Sequence, residues 1–468
     1  MPVSSIAPID INTRLSGRHL LLTGTTGFVG KVVLEKLLRA VPDIGSITLL
    51  IRSNSKHRTA EDRFFAEVGC SSIFERLKED RRFEMLVRSK LRFVSGELTT
   101  QNFGLSEGSF KALGKRLDAV INCAASVNFR EALDAALEIN TLCLKNLVDL
   151  TAVKDHLPIC QVSTCYVSGF ASGHIYEQMM EPAGKPIPDI DALISDMQSQ
   201  IETLRQKHRG EVLENALIDL GLTLANRHGW NDTYTFTKWL GEQLLTRDLA
   251  GRSLTILRPS IIESCLEEPV AGWIEGVKVA DAIIMGWARR KVSIFPGRRK
   301  SVVDIIPADL VSNGIIIALA EQIPRAPKHR IYHVCSGSSQ PITLGEFIDY
   351  CLEEGGTGHV KYPNLFIKPP KAHFKAINRT VFNQLMAILQ SYLSITNKLR
   401  GVVGLSVNAK KARNTDLAVK LAIVFGFYTS PNYIFHNERL MDLHRRLATS
   451  DQYSGPRFQD KGLSCTLS

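Results

Sequence analysis

A tyrosine and a lysine four residues apart, Tyr234 and Lys238, are the side chains in this sequence best suited to proton transfer. Residues at i and i+4 lie on one face of a helix, so we expect the ammonium group beside the phenol. A neighbouring cation lowers the pKa of a phenol from about 10, which lets it act as acid or base near neutrality. Thr164 ends an apolar run, and we predict that its hydroxyl binds a substrate carbonyl within the same hydrogen-bond network.

A glycine-rich loop with the spacing GxxGxxG lies near the N-terminus. Its residues are Gly24, Thr25, Thr26, Gly27, Phe28, Val29 and Gly30. An apolar run at 19–24 precedes it, and a segment at 30–41 with helical spacing follows. Glycine allows a tight turn and lets a pyrophosphate approach the backbone, and the helix N-terminus binds the phosphates. The loop therefore predicts a dinucleotide site.

The end of the second apolar run, residues 46–53, indicates which dinucleotide binds. An NAD site places Asp or Glu at this point to hold the ribose 2′-hydroxyl. Here the position holds Arg52, followed by Ser53, with Lys56 and Arg58 close behind. A guanidinium group suits a 2′-phosphate because it can donate two parallel hydrogen bonds. We therefore predict NADPH, with Arg52 and Ser53 at its 2′-phosphate.

Apolar runs that resemble buried strands alternate with helical segments through most of the chain. The predicted strands cover residues 19–24, 46–53, 90–98, 118–126, 157–167 and 254–262. This alternation is typical of an α/β fold, in which helices cover both faces of a parallel sheet. Right-handed crossovers then give a Rossmann-like, doubly wound arrangement. Thr164 would lie near the end of one such strand, on the side of the sheet where sites form.

Two regions depart from this alternation. Residues 171–230 are polar and helical in pattern, so we expect helices inserted outside the sheet. From residue 356 the alternation stops, and apolar faces at 380–400 and 412–426 predict a smaller, mainly helical C-terminal domain. The predicted organisation is an NADP-binding reductase domain at 1–355, a helical domain at 356–449 and a polar tail at 450–468.

Seven segments, taken in order, resemble the alcohol-forming fatty acyl-CoA reductases, particularly the bacterial enzymes of wax-ester producers. The segments are TGTTGFVGKVVLEKLL, INCAASVNF, VSTCYV, YTFTKWLGEQLL, LRPSIIESCLEEPVAGW, DIIPADLV and IYHVCSG. The resemblance covers most of the chain, and no single motif carries it. The long gap between Thr164 and Tyr234 is unusual for the extended short-chain dehydrogenase/reductase superfamily but similar to these reductases.

The resemblance implies NADPH-dependent reduction of a long-chain fatty acyl-CoA to a fatty alcohol through a fatty aldehyde, as in wax biosynthesis. Thr164 and Tyr234 would stabilise the oxyanion, and Tyr234 would donate the proton. Lys238 would keep Tyr234 acidic and hold the nicotinamide ribose. The insertion would cover the acyl site, with Trp273 in its lining. The implied cofactor contacts beyond the loop and Arg52 are Glu97, Leu98, Ala124, Ala125, Ser126, Tyr234, Lys238, Pro259 and Ile261.

Three other readings use the same residues. A thioester reductase would stop at the aldehyde or take its acyl chain from a carrier protein. Another enzyme of the extended superfamily, such as a sugar-nucleotide epimerase or a sterol dehydrogenase, is the second alternative; Arg52 and the long insertion disfavour the epimerase. A non-catalytic NADPH-binding scaffold usually lacks the tyrosine or the lysine, and this chain has both.

The positive charge of the chain is concentrated near its C-terminus. Residues 356–425 contain eight lysines, three arginines and one acid, Asp416. Their net charge of +10 equals the net charge of all 468 residues. Such a surface attracts the phosphates of coenzyme A or an anionic membrane surface, where Leu365, Phe366 and Ile367 would dock. With no signal peptide or membrane-spanning run, we expect a cytoplasmic protein, peripheral at most at the inner membrane surface. No motif predicts a metal or a nucleic acid partner, and the oligomeric state stays open.

Overall fold

The computed structural model describes residues 8–181, 186–290, 293–323, 327–366, 374–402, 426, 428 and 432–447. Its strands are β1 (His19–Thr23), β2 (Ser46–Ile51), β3 (Leu91–Ser95), β4 (Ala119–Asn122), β5 (Ile159–Val162), β6 (Gly173–Ile175), β7 (Leu254–Pro259), β8 (Ile261–Glu263), β9 (Ile294–Pro296), β10 (Ile305–Pro307), β11 (His329–Val334), β12 (Lys375–Ile377) and β13 (Tyr433–Phe435). Among these described residues, seven strands form one sheet and the other six pair two by two.

The helices connect these strands and cover the sheet. They are α1 (Ile11–Leu15), α2 (Phe28–Ala40), α3 (Ala60–Phe64), α4 (Glu75–Glu79), α5 (Phe83–Lys90), α6 (Glu107–Arg116), α7 (Leu133–Leu137), α8 (Leu144–Thr151), α9 (Ile190–Lys207), α10 (Gly210–His228), α11 (Thr233–Asp248), α12 (Val279–Ala288), α13 (Ala308–Gln322), α14 (Leu344–Gly358), α15 (Arg379–Val402) and α16 (Glu438–Arg445). A π-helical turn, Glu138–Leu142, joins α7 to α8.

The main sheet is parallel throughout, with strand order β3-β2-β1-β4-β5-β7-β11. Leu34 of α2 and Ile316 of α13 belong to the apolar core on one face, while Leu147 of α8 and Leu240 of α11 belong to the core on the other. The predicted α/β, Rossmann-like doubly wound fold is therefore confirmed. The strand order reverses between β1 and β4, and ligands of such sheets bind beyond the carboxyl ends of the strands at this point.

The strand predicted at 157–167 is shorter than expected. β5 ends at Val162, and a 3₁₀ turn, Cys165–Ser168, follows. The turn begins here because the Thr164 hydroxyl accepts a hydrogen bond from the Tyr166 N–H at 3.3 Å. Thr164 therefore lies just beyond the strand, at the carboxyl edge of the sheet. Cys165 is buried and donates its thiol to the Arg258 carbonyl at 3.0 Å.

The insertion at 171–230 contains the helices predicted for it, α9 and α10. Asp189 starts α9 by accepting hydrogen bonds from two backbone N–H groups, and Gly229, with φ +102°, ends α10. Met197 and Leu224 join the core that contains α11. The insertion thus packs against the helix that carries Tyr234 and Lys238.

The C-terminal region packs against residues 261–307. β12 pairs with β9, while β10 pairs with β8 within the predicted reductase domain. Trp287 and Phe295 form one apolar cluster with Phe366 and Phe374 of the C-terminal region. The helix predicted at 380–400 is present as α15. The helix predicted at 412–426, except for Gly426, and the predicted tail lie outside the described residues.

The last described segment returns to the reductase fold. β13 pairs with β6, and Leu440 and Leu443 of α16 belong to the core beside α13. Residues 433–445 thus pack against the first part of the chain, although the sequence places them in the second domain. The predicted boundary at residue 356 stays a prediction.

Candidate active site

The glycine loop joins the end of β1 to the start of α2. Gly24 has φ +72°, and a Cβ there would lie 2.6 Å from the backbone of Cys123 and Ala124. A Cβ on Gly30 would overlap the carbonyl oxygen of Gly24. Gly27 precedes the first turn of α2 and offers no side chain to cap it, so the N–H groups of that turn remain available to an anion. The loop has the shape that a pyrophosphate needs.

An open cleft of about 550 Å³ lies beside this loop, at the carboxyl ends of β1, β2 and β4. The predicted cofactor residues that line it are Gly24, Thr25, Thr26, Gly27, Arg52, Glu97, Leu98, Ala124, Ala125 and Ser126. Polar lining residues that were not predicted include Arg63, Thr99, Glu131 and Glu138. The cleft coincides with the reversal of strand order, where a dinucleotide binds in this class of fold.

Two arginines lie at the β2 end of this cleft. Arg52 is 64% exposed, and its Nη1 lies 3.2 Å from Oε1 of Glu97. Arg63, in α3, donates from Nη1 to the Arg52 carbonyl at 3.0 Å. Lys56 and Arg58 are not among the lining residues. The sequence therefore predicts one of the two guanidinium groups, that of Arg52. The other, that of Arg63, lies on a helix whose position beside the cleft depends on the fold.

The remaining predicted cofactor residues lie outside this cleft: Phe28, Val29, Gly30, Ser53, Tyr234, Lys238, Pro259 and Ile261. The Phe28 ring stacks on Trp273 at 5.6 Å between centroids, and Nζ of Lys278 lies 4.0 Å from the Phe28 ring. Trp273 donates its indole N–H to Ser72 at 3.0 Å. Trp273 thus packs beside the glycine loop, and its position does not support the prediction that it lines an acyl site.

Tyr234 and Thr164 meet at the carboxyl edge of the sheet. Tyr234 lies in the first turn of α11, and the Thr164 hydroxyl is close enough to its hydroxyl to lower the pKa of the phenol. Oγ1 of Thr164 also donates to the Pro259 carbonyl at 3.4 Å. A substrate carbonyl placed here would face two hydroxyl groups on rigid elements, the arrangement that stabilises a developing oxyanion.

Lys238 follows Tyr234 by one turn of α11. It is 3% exposed, and its Nζ donates to the carbonyl of Val162, at the end of β5, at 2.7 Å. Four residues further along, Glu242 forms a buried ion pair with Arg258 of β7. Tyr234, Lys238 and Glu242 therefore lie along one side of the helix.

Burial determines the pKa values of this pair more than their mutual charge does. The pKa of Tyr234 lies above its ordinary value because desolvation, and after it the nearby Asp232 carboxylate, outweigh the opposing effect of the Thr164 hydroxyl. The predicted lowering of this pKa by Lys238 is therefore wrong. Desolvation also lowers the pKa of Lys238 to about 8, against the opposing effect of Glu242. A phenol that stays protonated at neutral pH is suited to donate a proton rather than to remove one.

Asn140, in the π-helical turn, is a positioning residue that the sequence analysis missed. It is buried; its Oδ1 accepts from the Ser126 N–H at 3.0 Å, and its Nδ2 donates to Oγ1 of Thr237 at 3.1 Å. It thereby ties the cleft wall to α11. π-helical turns are frequent at functional sites, but only the structure reveals this one.

A narrow apolar cavity of about 20 Å³ has Ile261, two residues after Pro259, in its wall. Its lining is Ile261, Ala280, Ile283, Phe295, Val303, Ile305, Leu344, Phe347, Phe374 and Tyr428. Ile261 packs against two apolar clusters, one that contains Trp287 and Phe295 and one that contains Tyr166. None of these residues belongs to the insertion, and the prediction that α9 and α10 cover an acyl site stays a prediction.

The parallel doubly wound sheet, the glycine loop and the Thr164–Tyr234–Lys238 group define an extended short-chain dehydrogenase/reductase that uses a nicotinamide cofactor. The family model described as "Male sterility protein" matches residues 22–315. The chain belongs to this family.

Curated relatives and solved structures agree with this assignment. The chain is 32% identical to the probable fatty acyl-CoA reductase 5 of Arabidopsis thaliana over 82% of this chain and 78% of that protein. It is 33% identical to the alcohol-forming fatty acyl-CoA reductase of Simmondsia chinensis over 70% of this chain and 69% of that protein. A nonribosomal peptide synthetase reductase domain from Mycobacterium tuberculosis matches with a TM-score of 0.59 and 17% identity, over 96% of this chain and 92% of that chain, which supports the fold.

Proposed function

We propose that this protein reduces long-chain fatty acyl-CoA to fatty alcohol with NADPH, through a fatty aldehyde. The observation that carries the proposal is the joint placement of Thr164 and Tyr234 at the edge of the sheet, beside an apolar cavity at Ile261. The relatives named for this reaction support the substrate class. The apolar cavity would take the acyl chain, and its narrow width means that lining side chains must move apart to admit it.

The two reductions would use one set of side chains. Bound NADPH supplies the hydride in each step. As the thioester carbonyl gains charge, Thr164 and Tyr234 hydrogen-bond its oxygen, and Tyr234 donates a proton to give a hemithioacetal. As its C–S bond breaks, the hemithioacetal hydroxyl returns its proton to the Tyr234 phenolate, which leaves the aldehyde and restores the phenol. The departing thiolate takes a proton from solvent and is released as coenzyme A. The aldehyde carbonyl then occupies the same position, and Tyr234 protonates the alkoxide. Lys238 holds the cofactor ribose.

The product ratio tests this proposal directly. The purified chain is incubated with NADPH and palmitoyl-CoA, and NADPH oxidation is compared with thiol release. Two NADPH per thiol, with hexadecanol as product, is the expected result. One NADPH per thiol, with hexadecanal as product, would identify a thioester reductase instead. Absence of turnover with palmitoyl-CoA, in protein that binds NADPH, would overturn the proposed substrate class.

The choice of NADPH rests on Arg52 and is tested by removing its charge. We expect Arg52→Ala to weaken NADPH binding about tenfold or more, because a charge-assisted hydrogen bond to a phosphate contributes about 1.5–3 kcal/mol. NADH binding should change little. Fluorescence titration with both cofactors measures the two constants. Lys56→Ala is the matched control, since Lys56 is an exposed cation outside the cleft. Equal weakening of both cofactors by Arg52→Ala would contradict the assignment.

The pKa of Lys238 predicts how the rate depends on pH. Its ammonium form is lost as the pH rises through about 8, so kcat/KM for palmitoyl-CoA should fall on the alkaline side of that value. Lys238→Arg keeps a cation at all accessible pH values, because the guanidinium pKa is above about 12. The variant should lose rate overall but show no alkaline fall near pH 8. A wild-type profile that stays level from pH 7 to about 9.5 would contradict this role.

We also propose that this protein is cytoplasmic and docks peripherally on an anionic membrane through one face of α15. Val381, Leu385 and Ile388, at spacings of four and three, are 48%, 43% and 67% exposed. The basic composition of 356–425 complements an anionic lipid surface. Of the residues that the sequence suggests for docking, Leu365 is half-buried and Phe366 is buried, so these two do not fit this role. Ile367 lies outside the described residues. Within the described part of the chain, no helix is long and apolar enough to cross a membrane.

Vesicle sedimentation tests this docking face. Ile388→Glu should reduce binding to phosphatidylglycerol vesicles at least about fivefold, because it places a charge where docking would bury an apolar side chain in the membrane. Val212→Glu is the control, since Val212 is 62% exposed on α10. Equal binding of both variants and the wild type would overturn the proposal. So would light scattering that shows a wild-type dimer dissociated by Ile388→Glu, because a second copy would then cover the face.

A further inference from the structure

Tyr428 connects the C-terminal region to the catalytic helix. It is 4% exposed, and its hydroxyl donates to Oδ2 of Asp232 at 2.8 Å. The other oxygen of Asp232 caps α11 by accepting from the Thr235 N–H at 2.8 Å. Asp232 thus fixes both the start of the helix that carries Tyr234 and the position of the Tyr428 hydroxyl.

The ring of Tyr428 is also held on two sides. It packs edge-on against Tyr166 at 4.5 Å and against Phe129 at 5.3 Å between centroids. Phe129 in turn packs edge-on against Tyr234 at 5.4 Å. Phe129 therefore lies between the catalytic phenol and the Tyr428 ring, which places that ring one side chain away from Tyr234.

Tyr428 lines the apolar cavity as well, together with Ile261. Its hydroxyl and its ring edge thus face different surroundings: a buried carboxylate on one side and an apolar space on the other. A hydroxyl bonded to a buried carboxylate gives the ring one orientation, whereas a ring held by packing alone can shift.

We propose that Tyr428 is a specificity-determining residue, whose ring, oriented by Asp232, forms the wall that directs a long acyl chain from the Tyr234 site into the apolar cavity. This inference rests on the proposed function and deepens it. A long chain contacts this wall, whereas a short aldehyde reacts at Tyr234 without reaching the cavity. Removal of the ring should therefore penalise the long substrate selectively.

The test compares two substrates across three variants. Tyr428→Ala removes the ring, and Tyr428→Phe removes only the hydroxyl. Tyr433→Phe is the matched control, because Tyr433 is also buried beside Tyr166 and donates its hydroxyl to the Gly169 carbonyl at 2.6 Å, but does not line the cavity. The readout is the ratio of kcat/KM for palmitoyl-CoA to kcat/KM for hexanal, with NADPH affinity and Tm measured alongside.

We expect Tyr428→Ala to lower this ratio at least about tenfold, since apolar pockets discriminate chains by about tenfold or more. Tyr428→Phe should lower it by a smaller factor, and Tyr433→Phe should leave it unchanged. Equal loss of both activities in Tyr428→Ala would show a purely structural role and overturn the proposal, as would an unchanged ratio. If Tyr428→Ala fails to fold, an unchanged ratio in Tyr428→Phe overturns it.

Failure of the proposed function gives a different pattern. Wild-type protein that binds NADPH and reduces aldehydes but not palmitoyl-CoA would contradict the proposed function alone. In that case hexadecanal replaces palmitoyl-CoA in the ratio. A lower ratio in Tyr428→Ala then still supports the proposal that Tyr428 forms the wall for the acyl chain, and an unchanged ratio still overturns it.

Discussion

Tyr234→Phe should lose reduction of both palmitoyl-CoA and hexadecanal by a factor of about 10²–10⁴, the usual contribution of a general acid. The same variant should bind NADPH as the wild type does. The loss is expected for both substrates because one phenol protonates both oxyanions. Single-turnover measurements with each substrate report the chemical step directly.

The design isolates the hydroxyl from the ring. Phenylalanine keeps the edge-on contact with Phe129, so the apolar packing of the site is retained. Thr164→Val is a second variant that tests the site. It removes the other hydroxyl and should lower the rate by a factor of about 10²–10³, as loss of one oxyanion donor does. Full activity of Tyr234→Phe on either substrate would show that another group donates the proton in that step.

The parts of the site that the sequence predicted are those set by local geometry. The glycine spacing specifies one turn, and the structure explains it through the positive φ of Gly24 and the close approach of Gly30 to it. The spacing of Tyr234 and Lys238 likewise needs only a helix. Because buried parallel strands are strongly apolar, the positions of the main strands and hence the edge where Thr164 lies were also predictable.

The parts that were missed depend on contacts between distant segments. Arg63 reaches the cleft only because α3 returns beside β2, and Tyr428 reaches Asp232 across 196 positions of sequence. The direction of the Tyr234 pKa shift was predicted wrongly for the same reason. The i, i+4 spacing indicates a charge nearby, but the degree of burial, which dominates the shift, is set by the whole fold. The contact of Trp273 with Phe28 also joins two distant segments, and its predicted place in the lining of an acyl site stays a prediction.

The ion pair between Glu242 and Arg258, one helical turn after Lys238, is almost completely buried. Arg258 donates from Nε and Nη2 to the two oxygens of Glu242 at 2.9 and 2.6 Å, and its Nη1 donates to the Gln178 carbonyl at 2.8 Å. The two side chains are 0% and 1% exposed. A buried pair of this kind adds little over an apolar replacement, but loss of one partner leaves an uncompensated charge.

Glu242→Gln should therefore lower the free energy of unfolding by about 3–5 kcal/mol, the usual cost of breaking a buried ion pair. Urea unfolding followed by circular dichroism measures it. Asp191→Asn is the control: it breaks an ion pair between α9 and Arg247, also on α11, but the two side chains are 66% and 40% exposed. An exposed pair contributes about 1 kcal/mol or less. Equal costs for the two variants would contradict the difference in burial.

The same substitution should move the pH profile, which separates an electrostatic role from a purely structural one. Glu242 raises the pKa of Lys238 against the larger desolvation that lowers it to about 8. Loss of the carboxylate charge makes the ammonium form less favourable, so the pKa falls further. The alkaline fall in kcat/KM should then begin at lower pH in Glu242→Gln than in the wild type. A destabilised variant whose alkaline limb stays at the wild-type pH would show that Glu242 stabilises the fold without tuning Lys238.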